Sequence, residues 1–270
     1  MVCDEEKLCR LRGLLLGLDS VVVAYSGGVD STLLLRLCRD VLGERVLAVT
    51  ADSPTRPSRE LAEATEVAKS LSVRHRIIET VELDTPGFVA NPPERCYHCK
   101  LELFGRLTNI ARDEGFRNVV DGSNYDDLRD YRPGSRAAAE LGVRHPFQEV
   151  ELTKEEIRGL SKQMGLENCS KPSQACLATR FPYGTPINRE ALLVVDAAES
   201  FLYTLGIGQL RVRHCGETAR IEVEPREMAL LLDESNRGRI LARFRELGYL
   251  RVTLDLAGYR SGSMNEGLPP

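Results

Sequence analysis

Apolar positions recur along this chain in two rhythms, and each predicts an element. Leu8, Leu11, Leu14, Leu15 and Leu18 repeat at helical spacing, so a helix opens the chain and packs on a core. Val21 to Tyr25 is a short β-branched run and predicts a buried strand. The run breaks at Ser26-Gly27-Gly28, and a helical apolar face resumes at Leu33-Leu34-Leu35 and Leu37-Cys38, ending at Gly43. Arg45 to Ala51 predicts a second strand, leading into a loop at Asp52-Ser53-Pro54. A helix over Ser58 to Leu71 follows, opened by Pro57 and Ser58, with Glu60 and Glu63 near its positive end. Arg74 to Glu79 predicts a third strand. Asn91 to Lys100 breaks the rhythm before a helix from Leu101 to Glu114. Val119 to Gly122 predicts a fourth strand ending in a turn. Val143 to Pro146 predicts a last short strand, before a helix over Thr153 to Met164.

Strands alternating with helices predict an α/β fold with a doubly wound parallel sheet. Ligands in such sheets bind beyond the carboxyl ends of the strands, so the loops after Tyr25, Ala51 and Val120 are expected around one ligand. The pattern changes in the last third. Cys169 to Pro186 is rich in Pro, Ser and Gly with little periodicity, which marks a functional connecting loop. Beyond it come a helix over Asn188 to Leu205, strands at Leu210 to Arg213 and Ala219 to Val223 around a turn at Gly216, helical segments from Pro225 to Leu247, and a strand at Leu250 to Leu254. The expected organisation is a first domain over 1–168, a connecting loop over 169–187 carrying Cys176, and a smaller α+β domain over 188–270 that binds substrate and forms subunit contacts. The final Gly-Tyr-Arg-Ser-Gly-Ser-Met-Asn-Glu stretch is expected to lean on the rest of the protein.

Candidate chemistry begins at the first break. A strand, a Gly-rich turn and a helix N-terminus make an anion site, because first-turn N–H groups and the helix dipole both point at the ligand. Ser26, Ser31 and Thr32 add hydroxyl donors. No Lys-Ser/Thr pair closes the turn, so a Walker-type loop is a poor alternative. Ser26-Gly27-Gly28-Val29-Asp30-Ser31 instead resembles the pyrophosphate loop (PP-loop) of enzymes that split ATP between the α- and β-phosphates, such as asparagine, NAD and thiouridine synthetases. That resemblance implies an adenine nucleotide alpha-hydrolase-like fold, with Asp30 holding a magnesium ion against the phosphates.

Composition narrows the class. The chain has 270 residues and a formal net charge of −4, so no general pull toward nucleic acid or an anionic membrane is expected. The acidic start, Met1-Val2-Cys3-Asp4-Glu5-Glu6, is unlike a signal peptide, and no apolar run approaches membrane-spanning length, which together predict a cytoplasmic protein. Eight cysteines are not spaced as a disulfide framework, so metal or sulfur chemistry is the sharper question. Cys96 and Cys99 form Cys-Tyr-His-Cys, and Cys176 sits in Gln-Ala-Cys-Leu-Ala-Thr-Arg. Three thiolates would hold an iron–sulfur cluster with one open iron. The same residues also fit redox or sulfur-relay thiols, or a zinc site with His98 as a further ligand. Cys38, on an apolar helix face, reads as core.

Arg211 and Arg213 stand at i and i+2 of a strand and share a face. Two adjacent guanidiniums repel unless an anion lies between them, and phosphate matches their forks; Arg180 is close enough in sequence to Cys176 to join them. The bland alternative is a row of solvated strand arginines; Glu199 and Glu222 are lesser candidates for positioning roles, because helix and strand acids are usually solvated.

Taken in order, the PP-loop, Cys-x-x-Cys-Lys, Lys-Pro-Ser-x-Ala-Cys-Leu-Ala-Thr-Arg-Phe-Pro-Tyr-Gly-Thr, Leu-Arg-Val-Arg-His and the Tyr259-Arg260-Ser261-Gly262-Ser263-Met264-Asn265 tail resemble the LarE family over nearly the whole chain. The resemblance implies an ATP-dependent sulfurtransferase that adenylates a carboxylate of pyridinium-3,5-biscarboxylic acid mononucleotide and replaces oxygen with sulfur, toward the nickel-pincer nucleotide cofactor of lactate racemase. Members are commonly homohexamers. One form of the family uses a cysteine matching Cys176 as a sacrificial sulfur donor, left as dehydroalanine. The other holds a 4Fe–4S cluster on cysteines matching Cys96, Cys99 and Cys176, with the transferred sulfide on the open iron; all three are present here, which favours the cluster form. Arg211 and Arg213, assisted by Arg180, would grip the substrate phosphate. Lys100 would reach an ATP phosphate or the substrate carboxylate, while Ala51, Ser53 and Gly122 would flank the adenosine. A tRNA-thiolating enzyme with the same loop is a further alternative, which the acidic balance disfavours.

Overall fold

The computed structural model describes residues 5–172, 175–260 and 262–265. Cys3, and Ser173, Gln174 and Ser261 of the motifs quoted above, lie outside the described residues. Chain contacts divide into two compact units, Met1–Phe88 with Glu94–Gln174, and Val89–Pro93 with Ala175–Pro270.

The first unit runs α1 (Glu5–Gly17), β1 (Val21–Ala24), α2 (Val29–Leu42), β2 (Val46–Asp52), α3 (Ser58–Ser70), β3 (Arg74–Glu79), α4 (Pro86–Val89, whose last residue belongs to the second unit), α5 (Arg95–Glu114), β4 (Asn118–Val120), α6 (Gly134–Glu140), α7 (Pro146–Glu149) and α8 (Lys154–Gln163). Its four strands form one parallel sheet in the order β3-β2-β1-β4. Alternation along the strands explains why both faces are covered. Val21 and Val23 of β1 and Val46 and Ala48 of β2 join a core with Leu11, Leu15 and Leu34. The intervening Val22, Leu47 and Val49 point to a second core with Phe104, Leu107 and Ala111 of α5. Val21, Val22 and Val23 are fully buried, which contributes about 1.5–3 kcal/mol each. From β1 the chain steps outward through β2 to β3, then returns to the other side of β1 as β4. That reversal puts the crevice beyond the carboxyl ends of β1 and β4.

Two expectations change here. The helix predicted from Leu101 begins at Arg95, so Cys96 and Cys99 lie in the first turns of α5. Val143 to Pro146 forms no strand, and its pairing is a single bridge between Val120 and Arg144. Pro146, with no N–H to donate to a ladder, opens α7 instead.

The second unit contains α9 (Arg189–Thr204), β5 (Leu210–Cys215), β6 (Thr218–Val223), α10 (Met228–Leu232), α11 (Glu234–Glu246) and β7 (Arg251–Leu254). β5 and β6 form an antiparallel hairpin, and β7 adds parallel to β6. Helices cover one side, where Leu202, Val212, Ile221 and Phe244 share a core. The helical segments predicted over Pro225 to Leu247 meet at Asp233, whose carboxylate accepts from the Ser235 and Asn236 N–H groups at 3.1 and 3.2 Å and so starts α11. The tail does lie on this unit: Tyr259 N–H donates to the Val223 carbonyl at 2.8 Å. Asn91 also belongs here, its amide donating to the carbonyls of Pro182 and Thr185 at 2.8 and 3.1 Å.

Candidate active site

Beyond β1 the chain turns sharply through Ser26, Gly27 and Gly28 into α2. Gly27 has φ +75°, and a Cβ there would sit 2.8 Å from the Ala64 Cβ, so the turn requires glycine. Within the turn, Ser26 Oγ lies 3.0 Å from Ser31 Oγ, Gly28 N–H donates to Ser26 Oγ at 3.3 Å, and Ser31 Oγ donates to the Gly28 carbonyl at 3.2 Å. β4 leaves the sheet directly against α2. A Cβ on Gly122 would meet the Ser31 nitrogen at 2.9 Å and the Asp30 carbonyl carbon at 3.0 Å. The two loops therefore close on one cavity of about 620 Å³, and Ser26, Gly28, Asp30, Ser31, Lys100 and Gly122 all line it. Ala51 and Ser53 stand at and just beyond the end of β2, outside that lining, where Ser53 Oγ bonds to Glu82 and Thr55.

Asp30 occupies the first turn of α2, where the helix dipole favours a carboxylate. Its Oδ2 pairs with the Lys154 ammonium, while its Oδ1 is buried without a hydrogen-bond partner. Such an oxygen is costly to leave bare and fits a hard cation. Asp121, at the exit of β4, accepts from Ser123 N–H at 3.0 Å and lies 2.6 Å from His145 Nδ1. Burial raises its pKa, yet His145, Lys100 and the Ser123 N–H outweigh that and hold it below the usual carboxylate range. Burial likewise opposes a charge on His145, but Asp121 prevails and raises its pKa.

Several residues of this site were not singled out in the sequence. Lys154 left a readable signal, because a cation at the first position of a helix opposes the dipole. Asn168 left none; its amide donates to the Gly27 carbonyl at 3.1 Å and to Thr32 Oγ1 at 2.9 Å, pinning the turn. Arg56 donates to the Ser26, Ala51 and Glu60 carbonyls and so ties the turn to β2 and α3. Burial lowers the Arg56 pKa and raises that of Glu60, which lines the cavity.

Cys96 and Cys99 are half-buried on α5, three residues apart and so on one helix face. The His98 ring lies over Gly87, where a Cβ would come within 2.6 Å of it. Cys176 is exposed at the start of a 3-10 turn, Leu177–Arg180, in the second unit. Among the described residues, no group of three or more His, Cys, Asp or Glu side chains is gathered to hold a metal ion.

The arginines of the second unit are buried rather than solvated. Arg180 is fully buried and grips Glu199 through Nε and Nη2 at 2.8 and 2.9 Å, while its Nη1 donates to the carbonyls of Ala175 and Cys176 at 2.8 and 3.1 Å. Arg213 grips Glu222 the same way, at 2.9 and 2.7 Å, and donates to the Thr179 carbonyl at 2.7 Å. Arg211 lies beside them with its guanidinium 5.0 Å from the Tyr259 ring centre. Burial, and next the charge of Arg180, lower its pKa. Glu199 and Glu222 are thus buried partners of these arginines rather than solvated acids, each only 2% exposed.

No helix among the described residues is long and apolar enough to cross a membrane. The description of the NAD synthase family matches residues 15–86, which span the PP-loop. An uncharacterised protein of Synechocystis sp. is 44% identical over 264 residues, covering 98% of both chains. An uncharacterised protein of Methanocaldococcus jannaschii is 32% identical over 241 residues, covering 89% of this chain and 91% of its own. The pyridinium-3,5-bisthiocarboxylic acid mononucleotide synthase of Lactiplantibacillus plantarum, a LarE protein, is 36% identical over 263 residues, covering 97% of this chain and 95% of its own. Identity of that extent, together with a PP-loop at the carboxyl end of β1 in a parallel α/β sheet, means that the chain belongs to the LarE family.

Proposed function

We propose that this protein is an ATP-dependent sulfurtransferase acting on pyridinium-3,5-biscarboxylic acid mononucleotide, in the making of the nickel-pincer nucleotide cofactor. A substrate carboxylate oxygen attacks the α-phosphorus of ATP, and pyrophosphate leaves. A sulfur nucleophile then attacks the acyl carbon, and AMP carries away the oxygen. Adenylation turns a poor leaving oxygen into a good one, and loop donors stabilise the charge that develops on the phosphates. The observation that carries the ATP-binding part of this reading is the half-used Asp30 carboxylate, with its buried, unpartnered Oδ1, inside the cavity at the PP-loop; the sulfur-transfer part rests on family membership.

Ser26, Gly27, Gly28 and Ser31 would hold the phosphates, with Asp30 on magnesium. Gly122 would flank the adenosine with Ala51 and Ser53, and Lys100 would meet a phosphate or the substrate carboxylate. Arg211 and Arg213 would bind the mononucleotide phosphate, since an anion relieves the strain on the buried Arg211 charge. Arg180, already clamped to Glu199, would assist by fixing the backbone that carries Cys176. Cys96, Cys99 and Cys176 would hold a 4Fe–4S cluster, for which soft thiolates are suitable ligands and which the shared helix face of Cys96 and Cys99 supports. When bound, the cluster supplies the sulfide nucleophile. By family the protein would form a homo-oligomer, a hexamer, with the second unit contributing subunit contacts.

The test uses protein made without air, supplied with Mg·ATP, sulfide and the mononucleotide. AMP is expected to form in step with a thiocarboxylate product, with about four iron atoms per chain. AMP formation that ignores the mononucleotide would end the reading. The exposure of Cys176 favours a second route, in which its own sulfur is donated. On that route iron-free protein turns over once, and the intact-protein mass falls by hydrogen sulfide.

A further inference from the structure

We propose that Lys154 is a displaceable occupant of the magnesium position: it neutralises Asp30 in the nucleotide-free enzyme and moves onto the ATP phosphates when the metal arrives. This rests on the ATP-binding reading above.

The argument begins with the Asp30 carboxylate, which is divided in its engagement. Oδ2 is held by Lys154 Nζ, while Oδ1 is buried with no hydrogen-bond partner. A side chain present only to pair with Asp30 leaves that second oxygen unexplained, whereas a cation binding there would use it. Both residues line the cavity at the PP-loop, so the pair is reachable from the ligand's side. Lys154 is also in the wrong place to stabilise its own helix. It is the first residue of α8, where the dipole disfavours a cation, and the capping there is done by Thr153 and Glu156. Its backbone is nevertheless fixed, with its N–H donating to Asp126 Oδ2 at 2.8 Å and the Thr153 side chain accepting from Glu156 N–H. The ammonium thus rides on a four-carbon arm with an anchored base, suited to moving between two anions.

The neighbouring acid, Asp127, also feels the Lys154 charge, but its own carboxylate is engaged elsewhere. Asp127 accepts from Asn124 N–H at 2.9 Å and pairs with Arg132 at 2.7 Å. A divalent cation on Asp30 would put two positive charges side by side, so Lys154 has to leave as the metal enters. The phosphates supply the anion that receives it. The exchange conserves charge: one ion pair breaks, and one metal–carboxylate and one ammonium–phosphate contact form.

The test compares wild-type protein with Lys154→Met, reading manganese binding by electron paramagnetic resonance and binding of magnesium α,β-methylene-ATP by calorimetry. Without nucleotide, manganese alone binds Lys154→Met about fivefold more tightly, because its competitor is gone. The same variant binds the magnesium nucleotide analogue about tenfold more weakly, and Lys154→Arg recovers part of that loss. Asp30→Asn abolishes the manganese gain when combined with Lys154→Met. Unchanged manganese affinity overturns the inference, and so does unchanged nucleotide affinity. Failure of wild-type protein to bind the nucleotide analogue at all would instead sink the ATP reading itself. Thermal melting checks each fold; if Lys154→Met is unfolded, Lys154→Gln takes its place with the same expected outcomes.

Discussion

Replacing Gly122 by alanine tests whether the contact between β4 and α2 sets the nucleotide site. The added Cβ would lie 2.9 Å from the Ser31 nitrogen, 3.0 Å from the Asp30 carbonyl carbon and 3.1 Å from the Ser31 Cα. An unstrained carbon contact needs ~3.5–4.0 Å, so roughly half an ångström or more has to be found. All three neighbours are backbone atoms of the first turn of α2, which no rotamer change can move aside. The strand exit and the helix end must therefore separate, at a cost of about 1–3 kcal/mol. For a chain of this size that lowers the melting temperature by about 2–12 °C. The first-turn N–H groups and Asp30 shift with it, and nucleotide affinity is expected to fall at least about tenfold. Gly105→Ala is the control. It lies inside α5 with nothing within 4 Å of the added Cβ, and removing a helical glycine gains ~0.5–1 kcal/mol. Differential scanning calorimetry and calorimetric titration with magnesium α,β-methylene-ATP read both quantities. Gly122→Ala with wild-type melting and wild-type affinity would refute the reasoning.

Further outcomes follow from the ion pairs and thiols. Glu199→Gln leaves the buried Arg180 charge unpaired and is expected to cost about 3–5 kcal/mol, seen as a lower urea midpoint, whereas Arg220→Gln, at the exposed rim of Glu222, changes it by at most ~1 kcal/mol. The Asp121–His145 pair makes stability pH-dependent. The depressed Asp121 pKa adds stability that is present above about pH 4 and lost as pH falls through its folded value; the raised His145 pKa adds stability that is present below about pH 6.5 and lost as pH rises through its folded value. The melting-temperature difference between wild type and His145→Gln should accordingly peak between those limits, and a flat difference would count against the pair. Burial raises the Cys38 thiol pKa, so brief alkylation of native protein should label Cys9, Cys176 and Cys215, all exposed, and leave Cys38 intact on peptide mapping.

The sheet was legible because burial on both faces writes an apolar run into each central strand. Val21 to Ala24 and Val46 to Val49 show this, and both were expected as strands within a residue or two. Arg74 to Glu79 was also legible, although β3 is an edge strand with much of its length exposed. The failures came where local pattern and tertiary contact disagree. Cys96 to Lys100 follows a Pro-Pro pair and contains Tyr and His, so it reads as loop; α5 begins there with no side-chain cap to announce it, and it packs along α6. Val143 to His145 has the composition of a strand, yet Pro146 ends its pairing after one bridge.

The candidate site divides along the same line. The PP-loop was legible because its chemistry is local: two glycines, two serines and an aspartate within six residues make the turn, the hydroxyl donors and the carboxylate together. The arginine cluster was legible only as a set of cations. Their burial depends on acids that lie far along the chain, Glu199 nineteen residues from Arg180 and Glu222 across a hairpin from Arg213. Yet one of these left a trace. Leu192, Val195, Glu199 and Leu202 follow helical spacing, so Glu199 stands on the apolar face of α9, where a carboxylate survives only with a buried cation. An acid in an apolar stripe therefore predicts an arginine opposite it, just as a lysine at the start of α8 predicts an anion beyond that helix. In both cases the informative residue is the one that breaks its local rule, because the compensation lies elsewhere in the fold.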